Sequence, residues 1–420
     1  MKQRKTIWII DHYSSEPQYG GISRQYDFAK ELDKRGYNVI IFASGFSHYT
    51  HSYISEKEIF LSKVSKHVRY AYVKTTPYDE NNGRRRALNM VSFLLQVLRH
   101  ERAVAQRYGK PDVVEGASVH PLAWIAAYRI AKKYKVRFVA EVRDFWPQMW
   151  IDSGAKKASD PMCIFFRAIE DFTFRKAEHI ICSPYHGDRY ICGERGVPES
   201  RVSIIGQPMD CEGYDKNRER FGYLPADIRD FVSDGFVCAF TGYFIGYDCV
   251  HVMLEAERIL QDKSIPVKMI FVGSGEEEEN MRRYVREHNL KDVLIAGRIP
   301  RMDVPALLNR VDVCITQMDC KGKENVFRFG VSKLKNNEYL YSGACTLFGF
   351  QFDDNEVVES GGGIQFLPHN AHDLAEKIEF LYHLDEEERK KYGERGRAYI
   401  RNSHSVEMLT DRLLEVLFQA

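Results

Sequence analysis

The chain has 420 residues, 44% hydrophobic and 28% charged, with a net charge of +1, a make-up that suits a soluble globular protein too long for a single core, so two domains are expected. A charge this near zero argues against bulk nucleic-acid binding, and without a run of about 18 apolar residues no membrane-spanning helix is expected. Nine cysteines with no C-x-x-C pair fit reduced thiols in a cytoplasm, and no Cys or His pair recurs at zinc spacing, so no metal and no cofactor are expected. The opening MKQRKTIWIID holds too few apolar residues for a signal-peptide core.

Residues 6–11 form a short apolar run, followed by Gly20-Gly21, a helical pattern over 22–35, a stop at Gly36 and a second strand over 38–43. Strand, glycine turn, helix and strand make the opening of a parallel sheet. Gly20 and Gly21 fall at the carboxyl end of the first strand, where open α/β sheets bind ligands, but they form no G-x-G-x-x-G fingerprint. The stretch 61–110 is locally basic, and in it Arg84, Arg85 and Arg86 directly precede an apolar helical pattern over 87–98. Such a helix suits an anionic membrane surface; the alternative is that its apolar face packs on the sheet and the arginines are solvated.

The next strand, 112–117, ends in SVHP, with His120 at the mouth of a helix over 122–133. Strand 136–142 ends in RDFWP, placing Arg143, Asp144 and Trp146 on the same rim. A helix over 162–175, a strand over 179–183, a helix over 185–195 and a strand over 201–205 continue the alternation of a doubly wound sheet. Residues 208–234 show no sustained period and read as a linker.

A second series follows: strand 236–240 with Thr241-Gly242, helix 250–261, strand 268–272 with Gly273-Ser274-Gly275, helix 277–289, strand 293–296, helix 304–309 and strand 311–317. Between that strand and another at 344–348 stands GVSKLKNNEYLYSG, residues 330–343. Ser332 is a natural N-cap and Gly343 a natural left-handed stop, so this segment reads as a short helix whose N-terminal amides attract phosphate. Glu338 sits about five helical positions past the cap, within reach of a sugar hydroxyl on a diphosphate held there. The plainer alternative is a capped surface helix with solvated charges. A helix over 371–384 and an amphipathic helix over 406–417 close the chain, the last expected to pack back across the domain junction.

Taken in order, YGGISRQYDFAKELDKRGYNV, SVHPLAWIAAYRIAKK, FVAEVRDFWPQMW, KAEHIICSP, FVGSG, IAGRIPRMDVPALLNRVDVCI and GVSKLKNNEYLYSG resemble the motifs of the GT-B glycosyltransferases, specifically the retaining family 4 enzymes that build bacterial surface polysaccharides. The resemblance implies an α/β protein of two Rossmann-like, doubly wound domains facing a central cleft. Residues 1–207 would bind the acceptor, 208–234 would link, 235–400 would bind the nucleotide sugar, and 401–420 would form the crossover helix. It further implies metal-independent transfer of a sugar, from a UDP-sugar donor to a lipid-linked glycan, by a cytoplasmic protein at the inner face of the membrane. A peripheral contact with anionic lipid through Arg84, Arg85 and Arg86 would accompany that role, with no nucleic-acid partner.

In the same picture Glu338 bonds the donor ribose, Lys335 neutralises the diphosphate, and the backbone near Arg298 and Ile299 meets the base. Gly20, Gly21 and Gly242 let the chain approach the donor, and the backbone around Gly330, Val331 and Ser332 contacts its sugar. His120 lies near that sugar and joins Lys335 and Glu338 as the catalytic set, while Arg143, Asp144 and Trp146 belong to the acceptor side. Two departures stand out. The first acid of the E-x7-E pattern would fall at Gly330, and TGYFIGYDCV lacks the arginine and lysine that many relatives carry, leaving Arg298, Arg328 or Lys333 as helpers. A non-catalytic partner subunit and a sugar-nucleotide epimerase on the same fold are the alternatives.

Overall fold

The computed structural model describes residues 4–20, 24–79, 83–118, 120–318 and 326–418, the side chain of Tyr247 excepted. They fall into two units, one running to Pro208 and joined by the C-terminal helix Val406–Phe418, the other spanning Met209–Ser405.

In the first unit the strands are β1 (Thr6–Asp11), β2 (Asn38–Ser44), β3 (Ile59–Lys63), β4 (Val68–Val73), β5 (Val113–Ala117), β6 (Arg137–Val142), β7 (His179–Cys182) and β8 (Val202–Ile204). They lie in the order β3-β4-β2-β1-β5-β6-β7-β8, parallel throughout except for β3 against β4. Every residue of β1 is buried, because helices cover both faces of the sheet and a strand so placed must be apolar on both sides. One face packs on helix Arg24–Lys34 and on Val406–Phe418, joining Ile7, Ile9, Phe28, Leu32, Leu409 and Leu413. The other carries helices Gly83–Tyr108, Leu122–Tyr134 and Pro161–Lys176, with Trp8 and Trp124 fully enclosed.

Two features depart from the sequence reading here. The pair β3 and β4 went unrecognised inside the basic stretch, where charge obscured the aromatic strand formers Tyr70 and Tyr72. The helix over 185–195 shrinks to a π-helical segment, Arg189–Glu194, in a stretch where Gly187 and Gly193 weaken helical propensity.

In the second unit β9 (Phe236–Tyr243), β10 (Val267–Ser274), β11 (Val293–Gly297), β12 (Val313–Gln317), β13 (Cys345–Gly349) and β14 (Gly363–Phe366) form an all-parallel sheet in the order β11-β10-β9-β12-β13-β14. Helices Val250–Asp262 and Ala371–His383 cover one face with Leu254, Leu374 and Ile378. Residues 209–234 are not an irregular linker but belong to this unit. They hold helix Cys211–Asn217, capped by Asp210 accepting from the Gly213 amide at 2.8 Å, and helix Ala226–Phe231. Leu224, Ile228 and Val232, spaced four apart, bury themselves against β9 and β10. The helices are too short to show a sustained period, which is why the segment read as unstructured.

Both sheets share one consequence of their strand order. β1 pairs with β2 on one side and β5 on the other, and β9 pairs with β10 and β12. The order in which strands are added reverses at these strands, and each reversal opens a crevice at the carboxyl ends.

Candidate functional site

In the second unit the crevice is bordered by the ends of β9, β10 and β12 and by helix Leu334–Ser342. The Thr241 amide donates to the Tyr339 hydroxyl at 2.7 Å, which pins this helix to β9. Its start differs from the sequence expectation. Gly330 turns the chain at φ 77°, Lys333 is extended, and Lys333 rather than Ser332 is the N-cap, with no side chain capping the first turn. Ser332 instead keeps its hydroxyl oxygen out of solvent with no hydrogen-bond partner. The hydroxyl and the uncapped helix amides are thus polar groups left without a protein partner among the described residues.

Two lysines converge on one carboxylate there. Lys335 Nζ lies 3.2 Å from each Asp248 oxygen and 4.2 Å from the centre of the Phe240 ring. Lys333 Nζ sits 2.6 Å from Asp248, 2.8 Å from the Gln317 carbonyl and 3.4 Å from the Thr316 hydroxyl. Burial first, then the like charge of Lys333, pushes Lys335 down to about 8, while burial lowers Lys333 against the pull of Asp248. Glycines make the approach possible: at Gly242, with φ 145°, a Cβ would stand 2.7 Å from Lys335 Nζ, and at Gly273, with φ 152°, it would overlap the Gly242 carbonyl oxygen.

The other residues expected on the donor side are placed as follows. Glu338 accepts from Arg301 at 2.8 Å, a weak pair because Arg301 is largely exposed. Arg298 is exposed and donates to the Ser274 hydroxyl. Ile299 packs half-buried on the core, and Val331 is buried beside Leu340 and Tyr341, so their side chains serve packing. Asp248 was not singled out from the sequence. The signal was an acid standing in the very loop where a basic pair is missing.

In the first unit His120 follows β5 and is fully buried, its Nε2 2.6 Å from His12 Nδ1. The rings of Tyr13 and Phe93 enclose the pair. Burial, with Arg86 adding, pushes His120 down to about 3, and burial with His120 lowers His12, so both imidazoles are neutral near pH 7. His120 Nδ1 is another buried polar atom without a partner. His12 was missed, although its place directly after β1, at the switch point, marks it.

Arg143 follows β6 with its guanidinium 3.0 Å from Asp11, and its amide donates to the Ser118 hydroxyl at 3.1 Å. Burial drives Asp11 up to about 6 against the opposing Arg143, and raises Asp144 against Arg143 and Arg86. Trp146 does not line an open rim but is buried with Met90, Leu122 and Phe166. Nor do the three arginines form one cluster: Arg84 and Arg85 are exposed, whereas Arg86 reaches inward, its Nε 3.4 Å from the Tyr13 hydroxyl and its guanidinium 5.8 Å from the Trp146 ring. Gly20 is exposed in a left-handed turn, and Gly21 lies outside the described residues. Among the described residues no group of three or more His, Cys, Asp or Glu side chains could hold a metal ion.

Two doubly wound, parallel-dominated units, each gathering polar groups at its own switch point, define a GT-B protein. The model of Glycosyltransferase Family 4 matches residues 19–212, and that of Glycosyl transferases group 1 matches residues 229–399. The chain belongs to the family 4-like GT-B glycosyltransferases. No curated protein matches it in sequence. Among solved structures, sucrose-phosphate synthase from Thermosynechococcus elongatus is 14% identical with a TM-score of 0.68, over 98% of each chain. HepE from Anabaena, in complex with UDP and glucose, is 15% identical with a TM-score of 0.68, over 100% of each chain. WaaG, a glycosyltransferase involved in lipopolysaccharide biosynthesis, is 12% identical with a TM-score of 0.66, over 99% of this chain and 100% of that one.

Proposed function

We propose that the enzyme transfers a sugar from a UDP-sugar to a lipid-linked glycan in the building of a cell-surface polysaccharide, with retention at the anomeric carbon. The observation that carries the donor half is the uncapped start of helix Leu334–Ser342, with Lys335 half-buried beneath Gly242 and the Ser332 hydroxyl unpartnered. Helix amides and an ammonium are the groups that hold a diphosphate and stabilise its charge as it leaves. Glu338, one turn deeper, is the acceptor for the ribose hydroxyls, exchanging its weak bond with Arg301 for them. In the first unit the groups assigned to the acceptor are Arg143 and Asp144, and His120 there is neutral and buried. HepE, whose structure holds UDP and glucose, and WaaG, a lipopolysaccharide enzyme, support this choice of donor and product class.

Calorimetry with UDP-, GDP- and dTDP-sugars tests the proposal. UDP-sugars bind, and Lys335→Ala weakens them about 10- to 100-fold, the effect of losing a charge-assisted hydrogen bond of about 1.5–3 kcal/mol. Binding by none of the panel would end the donor reading. Binding without transfer to any lipid-linked glycan would favour a partner subunit, and epimerised UDP-sugar in the absence of acceptor would favour an epimerase.

Membrane contact is the second part of the reading. Among the described residues no helix is long and apolar enough to cross a membrane. On helix Gly83–Tyr108, however, Leu88, Val91 and Leu95 are exposed at helical spacing, with Arg84 and Arg85 before them and Arg99 and Arg102 after. An apolar strip between basic ends fits an anionic bilayer surface, each arginine contributing about 1 kcal/mol. Liposomes containing anionic lipid retain the protein and neutral ones do not, and Leu88→Glu with Leu95→Glu abolishes the difference. Equal retention by both lipids removes the idea.

A further inference from the structure

Asp248 is unexplained by the donor reading, since a carboxylate beside a diphosphate site repels the ligand. It lies buried at the end of the short turn Gly246–Asp248, following β9. Lys333 spends one donor on it and the others on the Gln317 carbonyl and the Thr316 hydroxyl, and so has none left for a ligand. Lys335 is different: among the described residues its acceptor is Asp248, and its ammonium lies under the open backbone of Gly242. The charged groups facing Lys335 are Lys333 from the preceding turn, Asp248 from the loop after β9 and Glu338 from its own helix.

Resting on the donor reading, we propose that Asp248 is a positioning residue for the donor diphosphate: clamped by Lys333, it holds the Lys335 ammonium charged and aimed beneath Gly242. Without Asp248 two ammonium groups would share a largely enclosed site with no counter-ion in contact, and one would give up its proton. Burial and Lys333 already push Lys335 down to about 8 with Asp248 in place. Asp248 therefore sets the pH at which the site stops gripping an anion. Lys333 acts through Asp248 and does not touch the donor.

The probe is UDP-glucose, whose diester diphosphate lacks the second phosphate ionisation near pH 6. By calorimetry from about pH 6 to 9, wild-type affinity holds to about pH 8 and then falls about tenfold per pH unit, as for a ligand that needs one protonated group. Asp248→Asn begins its fall about one pH unit earlier, so that it is about fivefold weaker at pH 8, about tenfold weaker at pH 9 and within about twofold at pH 6, while Asp248→Glu recovers most of the wild-type curve. In the ligand-free protein, competitive acylation read by mass spectrometry shows Lys335 of Asp248→Asn becoming reactive about one pH unit lower than in the wild type. An unchanged acylation curve with UDP-glucose still bound, or tighter binding by Asp248→Asn at every pH, overturns the assignment of Asp248 alone. A wild-type protein that does not bind UDP-glucose overturns the donor reading and this assignment with it.

Discussion

Glu257 points from helix Val250–Asp262 into the core of the second unit, with one carboxylate oxygen buried and unpartnered. Burial, with Asp292 adding, raises it from the usual 4.5 to about 9. The folded protein thus keeps a proton that the unfolded chain releases at lower pH. Stability from this group is complete below the unfolded value and drains away as pH rises toward the folded one, at about 1.4 kcal/mol per pH unit between them. Glu257→Gln accordingly melts higher than the wild type at pH 8 and not at pH 4.5, as differential scanning fluorimetry at the two values reads out. Glu141 shows the opposite solution to burial, bonded by Arg24 at 2.6 Å and Gln25 at 2.7 Å, with Glu115 beside it raised to about 8 by burial and by Glu141. An acid inside an apolar strand such as FVAEV is visible in the sequence; which residue answers it is not, because Arg24 lies 117 positions away.

At the scale of elements, helix Leu334–Ser342 depends on a neighbour that the sequence reading did not identify. Helix Glu386–Ser403 lies against it, and the approach is close because Gly393 and Gly396 face the contact. A Cβ on Gly393 would overlap the Gly343 carbonyl oxygen, and one on Gly396 would come within 2.7 Å of that of Leu340. Gly396→Val forces the two helices apart, at about 1–3 kcal/mol for overpacking. Because Lys335 and Glu338 ride on the displaced helix, the same variant loses affinity for UDP-glucose, and a urea midpoint and a binding isotherm measure the two effects separately. The stop of Leu334–Ser342 at Gly343, with φ 98°, was legible since only glycine takes that conformation cheaply. Its start was not, since the backbone bend at Gly330 and the extended Lys333 displace the cap by one residue.

Across the whole molecule, the chain leaves the first unit at Pro208 and returns to it with Val406–Phe418. Leu409, Leu413 and Leu417 bury against Ile9, Phe28 and Leu32 in that unit's core. Leu413→Ala costs the first unit about 2–5 kcal/mol. Its fluorescence reports the loss directly, because all four tryptophans, Trp8, Trp124, Trp146 and Trp150, lie in that unit, and their urea transition moves to lower concentration. The sequence by itself determined the two βα series, the strands at each switch point, the final helix and the glycine-stopped helix that carries Lys335, because apolar period and glycine punctuation are local properties of the chain. Only the tertiary structure decided that Asp248 meets Lys333 and Lys335, that His12 meets His120, that Arg86 turns inward and that residues 209–234 join the second unit. Those are pairings between segments far apart in the chain, set by which strands lie side by side and by the cost of leaving a buried charge or amide unanswered.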